Sequence, residues 1–400
     1  MLGCFSRDFP EPSIGSAPQN TSAEPSIGSA PQNTSAWRDR SHRGYPTASI
    51  HDKESSMLDL RNVRAAMLTT LLLSSSAAVA EETVELPSPE AREQMLQLLE
   101  TQSLYRRRVD WNDVRARLNA AGDDRAQQRR VLDEAAARSS GGHGRWFSPS
   151  EQRQRSERAQ RLNASQATDF AASSHANPRI GVLRVSPFVE DLQRNESERY
   201  EARKVYALAL QGRIAGLDDG TRCGWVVDVS SNGGGNMWPM LFGLLPLLHG
   251  TPDTQGALIG AFRSADGLLW WRQAEGEVVQ GNASMLRSRQ GAYRLRAGTA
   301  PVAVVMGAGT ASSGEAVALA FRGQPGSRSF GQPSAGFSTG NRPTTLVDGT
   351  TLLLTHNVMT DRNGQGDGGR MQPDQATASG PATLAAAQAW LLAQPACQGR

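Results

Sequence analysis

Residues 302–315, VAVVMGAGTASSGE, set an apolar run, a glycine-rich turn and a serine at the expected start of a helix in one line. That order presents the Ser312 hydroxyl at a helix N-terminus, where unpaired N–H groups and the positive end of the helix dipole can hold a developing oxyanion. Ser312 is thus a candidate nucleophile and the Ser313 N–H a candidate oxyanion donor. A plainer reading competes: Ser312 and Glu315 also have the spacing of a capping box, in which both side chains merely satisfy orphan amides.

Residues 224–235, GWVVDVSSNGGG, place three glycines after an apolar run. Glycines let backbone approach backbone or ligand closely, so Gly233 and Gly234 are candidates for the second half of an oxyanion hole. No Gly-Lys-Ser/Thr follows, which removes the phosphate-loop reading. A serine nucleophile needs a base, and lysine is nearly absent: only Lys53 and Lys204 occur, the latter within ESERYEARK, a charged helical stretch expected to be solvated. Histidine titrates near neutrality and can take and return a proton. His143 sits in the helix-breaking SSGGHG, His175 in a polar stretch, His249 at the end of an apolar segment and His356 on an expected strand. The aspartates of 361–369, DRNGQGDGG, suggest calcium, but no glutamate closes a twelve-residue loop, so a hairpin turn is expected.

These groups must be positioned by alternating elements. Helical spacing over 82–138 predicts a small helical N-terminal domain, whose arginines are interleaved with acids and read as a solvated face, not a nucleic-acid patch. Strands are expected at 180–185, 224–229, 257–262 and 301–306, and helices at 196–217, 313–321 and 383–392. Two short strands at 345–355 flank Asp348-Gly349, a hairpin signal. Strands alternating with helices predict an α/β core.

The working chain is expected to begin late. Residues 11–23, EPSIGSAPQNTSA, recur letter for letter as 24–36, and a repeat without apolar periodicity specifies no packed unit, so 1–56 reads as disordered or as mis-called upstream sequence. Residues 57–80 read as a signal peptide: Arg61 and Arg64, a short apolar stretch, then Ala78-Val79-Ala80. Its apolar run is too short to span a membrane, so a soluble periplasmic or secreted protein without stable membrane insertion is expected. Residues 1–80 carry seven basic and seven acidic side chains, leaving the net charge of +3 unchanged, a balance that calls for no polyanionic partner. In an oxidising compartment Cys223 and Cys397 could pair.

Taken together, DVSSNGGG at 228–235, TASSGE at 310–315, FGQPSAG at 330–336 and QPD at 372–374 resemble the ordered motifs of the C-terminal processing (tail-specific) protease superfamily of serine peptidases. The resemblance implies a crotonase-like α/β core, here over 180–400, with a helical domain over 81–142 and a charged linker or cap over 143–179. The family's usual base lysine falls at Phe337, so the lysine dyad is absent. The branch that includes the tricorn core peptidase and the nisin-resistance protein uses a histidine after the N-terminal helices, and that position matches His143. An acidic third group before the Pro-Asp segment would be Asp367, which could equally be a turn residue. Only 36 residues separate His143 from Ile180, too few for the PDZ domain that many relatives carry. The expected function is hydrolysis of peptide bonds through a Ser312 acyl-enzyme, without metal or cofactor, on a peptide or protein substrate. A peptide-binding relative without turnover is the alternative.

Overall fold

The computed structural model describes residues 84–166 and 177–399. The leader assigned to 57–80, the repeat before it and His175 lie outside the described residues.

Three helices open the described chain: α1 (Pro89–Gln102), α2 (Trp111–Ala120) and α3 (Arg125–Ser140). Each begins on a side-chain cap, with Ser88, Asp110 and Asp124 accepting N–H groups of the first turn. Their apolar faces do not close on themselves. Met95, Leu99, Val114, Val131 and Leu132 share one cluster with Trp146, Leu352 and Leu354 of the following sheet and with Leu346 of the turn between two of its strands. The segment 143–179, expected as a linker or cap, contains strand β1 (Arg145–Phe147) and helix α4 (Pro149–Gln166).

The core follows with β2 (Ile180–Arg184), α5 (Glu196–Leu217), β3 (Gly224–Asp228), α6 (Met237–Gly243), β4 (Thr251–Asp253) and β5 (Gly256–Ser264). Residues 263–300, which carry no clear signal in sequence, supply most of a meander: β6 (Gly267–Ala274), β7 (Glu277–Gln280) and β8 (Ala283–Arg287). The chain ends through β9 (Val302–Met306), α7 (Ser313–Phe321), β10 (Ser327–Gly331), β11 (Thr339–Thr345), β12 (Thr351–Thr360), β13 (Gln375–Ala376), α8 (Pro381–Leu392) and α9 (Pro395–Gln398). The expected hairpin is β11–β12, longer than its sequence signal and with Thr345 opposite Thr351.

Two sheets result. One is wholly parallel, in the order β13-β10-β9-β3-β2. Its central strands, GWVVD and VAVVM, are nearly continuous apolar runs because both faces are covered, as parallel sheets require. One face packs on Ala387 and Leu391 of α8. The other packs on Leu210 of α5, Leu241 of α6 and Val317 of α7, which also meet Trp271, Val278 and Met359 of the second sheet. That second sheet is antiparallel, ordered β1-β12-β5-β6-β7-β8, with β11 and β4 as additional pairings. The whole is the α/β fold expected from the sequence, one wholly parallel sheet and one antiparallel sheet with helices packed between and around them.

Cys223 and Cys397 form a disulfide across 174 residues, tying the α9 segment to the start of β3. Cross-linking so long a loop restricts the unfolded chain. Replacing both cysteines by alanine should lower unfolding free energy by about 2–4 kcal/mol in denaturant melts, with unchanged stability contradicting a native bond.

Candidate active site

The turn after β9 is a tight elbow. Thr310 Oγ1 donates to Val229 O (2.9 Å) and accepts the Gly307 N–H (3.0 Å), while the Ala311 N–H donates to Asn232 O (2.9 Å). The elbow is thus bolted to the loop after β3. At its apex Ser312 has φ 52° and ψ −114°, the one non-glycine positive φ among the described residues. A serine held in this region stores backbone strain that only over-determined surroundings maintain, the geometry of a nucleophile elbow. The surroundings leave no slack: a Cβ at Gly234 would lie 2.8 Å from Ser312 Cβ and 3.3 Å from its Oγ, so only glycine fits there.

The Ser312 hydroxyl meets His143 Nε2 at 3.0 Å. His143 reaches it because α3 stops at Gly141 in the left-handed conformation (φ 65°), Gly142 (φ 85°) turns the chain, and Arg145–Phe147 then pair antiparallel with Leu353–Thr351 of β12. Gly144 lets this loop lie against the sheet, since a Cβ there would come within 2.8 Å of Leu353 O. The Asn341 side chain donates to His143 O (3.3 Å). On the far side of the ring, Nδ1 lies 2.7 Å from Thr339 Oγ1. With its proton on Nδ1 donated to Thr339, the ring keeps the Nε2 lone pair for the serine hydroxyl. Burial, with the Arg145 charge second, holds the His143 pKa down to about 4, so the ring is a neutral acceptor at neutral pH.

Phe337 stacks on this ring, with centroids 5.3 Å apart at 28°. A third segment is fixed by Glu315 of α7, which is fully buried. Its carboxylate accepts the Ser312 N–H (2.7 Å), the Ser334 hydroxyl (2.5 Å), the Gly336 N–H (2.9 Å) and the Phe337 N–H (2.9 Å). Burial pushes the Glu315 pKa up, against these hydrogen bonds, which pull it down. One carboxylate therefore joins the Ser312 amide to the turn that carries Phe337 and leads into Thr339.

The candidates for the oxyanion site are divided. The Ser313 N–H has no partner among the described residues, and its hydroxyl donates to Gly235 O (2.6 Å), keeping the glycine loop beside the elbow. The Gly234 N–H, expected to face the oxyanion, is instead donated to Asn232 Oδ1 (3.0 Å), and Gly233 is exposed. Asp367 is not beside the imidazole's second nitrogen. It is exposed and accepts the Gly369 N–H at 2.8 Å as a turn residue, and Thr339 occupies the place that sequence reasoning gave it. His356 bonds to Gly340 O (3.3 Å), and the His249 Nε2 is buried without a partner, so neither ring is hydrogen-bonded to Ser312. Lys204 lies on α5 with Glu201 at 3.8 Å. No group of three His, Cys, Asp or Glu among the described residues could hold a metal.

Thr339 carries no local signal because it depends on a strand pairing, and the ring contact of Phe337 depends on a turn held by Glu315, which is legible only as half of a capping box. The arrangement has the parts of an acyl-transfer site: a hydroxyl on a strained elbow, a neutral imidazole against it and a free N–H at a helix start.

Residues 179–377 match the description of peptidase family S41, a span that includes Ser312, Glu315 and Thr339 but begins after His143. The chain is 35% identical over 139 residues to the nisin-resistance protein of Lactococcus lactis subsp. lactis, which amounts to 35% of this chain and spans only 41% of that relative's length. In structure it is similar to a lipoprotein from Streptococcus agalactiae, with a TM-score of 0.57, 23% identity and coverage of 77% of this chain and 97% of the other.

Glu315 generates a direct test. Glu315→Gln keeps the shape but turns an amide donor toward a nest of donors, which costs on the order of 1–3 kcal/mol. Turnover at Ser312 should fall at least tenfold in kcat with little change in KM while the far-ultraviolet spectrum is kept. Parental kcat would show that the carboxylate does not hold the nucleophile.

Proposed function

Because the chain belongs to peptidase family S41 over residues 179–377, we propose that it is an exported serine peptidase with Ser312 as nucleophile and His143 as general base. The observation that carries this reading is the 3.0 Å contact between a hydroxyl on a strained elbow and an imidazole nitrogen free to accept its proton.

Ser312 Oγ attacks the carbonyl carbon of a peptide bond as its proton passes to His143 Nε2. Negative charge collects on the former carbonyl oxygen, where the free Ser313 N–H at the α7 N-terminus stabilises it. The second donor would be Gly234, whose N–H must then turn from Asn232 Oδ1 toward the substrate. The imidazolium keeps its orientation through Nδ1–H donated to Thr339, and collapse of the intermediate returns the other proton to the leaving amine. Water, deprotonated by the same nitrogen, resolves the acyl-enzyme. A neutral threonine stabilises an imidazolium less than a carboxylate would, so its role is to fix the tautomer and the ring plane.

Export is supported by the Cys223–Cys397 disulfide, a bond that persists in oxidising compartments, together with the leader expected at 57–80. No described helix is long and apolar enough to cross a membrane.

Digestion of a mixed peptide library, read by mass spectrometry, should give products with the parent and none with Ser312→Ala. Absence of products from the parent under any condition would favour a peptide-binding protein without turnover. The pH dependence carries a sign. A base must be neutral to accept the proton, so kcat/KM should rise as pH climbs through about 4 and then stay flat through neutrality. A limb near 6.5, the ordinary histidine value, would mean that His143 is not held desolvated as described.

A further inference from the structure

The segment that delivers His143 has two faces, and they treat positive charge differently. On one, Trp146 is buried and Arg129 lies 3.9 Å over its ring. That guanidinium is neutralised by Glu151 (3.0 Å) and Asp133 (3.2 Å). On the other, Arg145 and Phe147 alternate outward from β1, and Arg155 of α4 stacks over the Phe147 ring at 4.0 Å. Arg158 follows Arg155 by three residues on the same helix face.

None of Arg145, Arg155 and Arg158 has a carboxylate within ion-pair distance among the described residues. The acidic groups on α4 are engaged elsewhere, Glu151 with Arg129 and Glu157 with Arg161 (3.8 Å), and Glu85 accepts from Ser150. Burial first, and then the charges of Arg145 and Arg158, push the Arg155 guanidinium below its usual range, the sign of cations gathered without a counter-ion. Such a cluster is unfavourable in the free protein and becomes favourable when an anion enters.

Its place in the reaction follows from the chemistry of the base. His143 must deliver its proton to the leaving amine, and Arg145 stands two residues after it on β1, close enough for its charge to act on the imidazole. We propose that Arg145 and Arg155, with Arg158 at the rim, form a subsite that takes a carboxylate of the peptide on the leaving-group side, making negatively charged peptides the preferred substrates. This rests on the peptidase reading of the same site. A guanidinium pair presents forked donors that match a carboxylate, and β1 fixes Arg145 relative to the base.

The test uses fluorescein-labelled peptides that differ only by Glu or Gln along the chain, each made as free acid and as C-terminal amide. They are titrated by anisotropy into full-length Ser312→Ala, so that binding is read without turnover. Glu peptides or free acids should bind about tenfold more tightly than their neutral counterparts. That advantage should vanish in Ser312→Ala carrying Arg145→Gln and Arg155→Gln, and should shrink for Ser312→Ala itself when salt is raised from about 50 to 500 mM. An advantage kept by amidated Glu peptides assigns the carboxylate to an acidic side chain, and one confined to free acids assigns it to the chain terminus. Equal binding of all four forms, or an advantage that survives the double substitution or high salt, overturns the subsite. Charge-selective binding with no cleavage by the parent would leave the subsite standing and overturn the peptidase reading alone.

Discussion

Three residues of strand, Arg145–Phe147, hold the imidazole of His143 against a hydroxyl 169 residues further along the chain. Everything chemical in the site depends on that pairing, because neither partner can be moved toward the other by its own element. Ser312 is fixed by an elbow locked to the β3 loop, and His143 stands beyond the end of a helix that has already stopped. The pairing is short, yet it is not alone. The Leu104 N–H donates to Thr355 O of the same strand (2.9 Å), and the buried faces of α1–α3 close on Leu352 and Leu354 of β12. The N-terminal helices therefore support the segment that carries His143, and the proposed chemistry requires their packing.

The second constraint is electrostatic. A buried carboxylate is costly to desolvate unless its oxygens are satisfied, and Glu315 is satisfied by amides and a hydroxyl from two segments that must meet. The same turn carries Phe337 at the position where the resembled family has its lysine. An aromatic ring there removes one base and covers the face of another. It also helps to bury His143, which keeps the imidazole neutral and ready to accept a proton.

Much of this was legible in the sequence. The buried strands around 226 and 304 announced themselves as continuous apolar runs, the α7 start followed from the glycine-rich turn, and the positions of Ser312 and His143 followed from ordered motifs. What failed to show has a common physical cause. The β6–β8 meander alternates weakly because part of it is exposed, Leu268 and Leu269 included. Thr339 reaches the imidazole only through β11 pairing with β12, a long-range fact that no spacing encodes. Asp367 follows from motif order alone, but in its glycine-rich turn the carboxylate accepts a neighbouring amide instead. Gly234 was expected to supply an N–H and supplies space: its lack of a side chain admits Ser312, while its N–H faces Asn232.

The proposed chemistry requires that His143 activate Ser312 directly. The most direct measurement is the rate at which a fluorophosphonate modifies Ser312 at pH 7 in the parent and in His143→Ala, with Ser312→Ala as the unlabelled control. Loss of a general base predicts that labelling slows by about 10²-fold or more in His143→Ala. Equal rates in the two proteins would mean that the imidazole does not activate the serine, and the account of this site would fail.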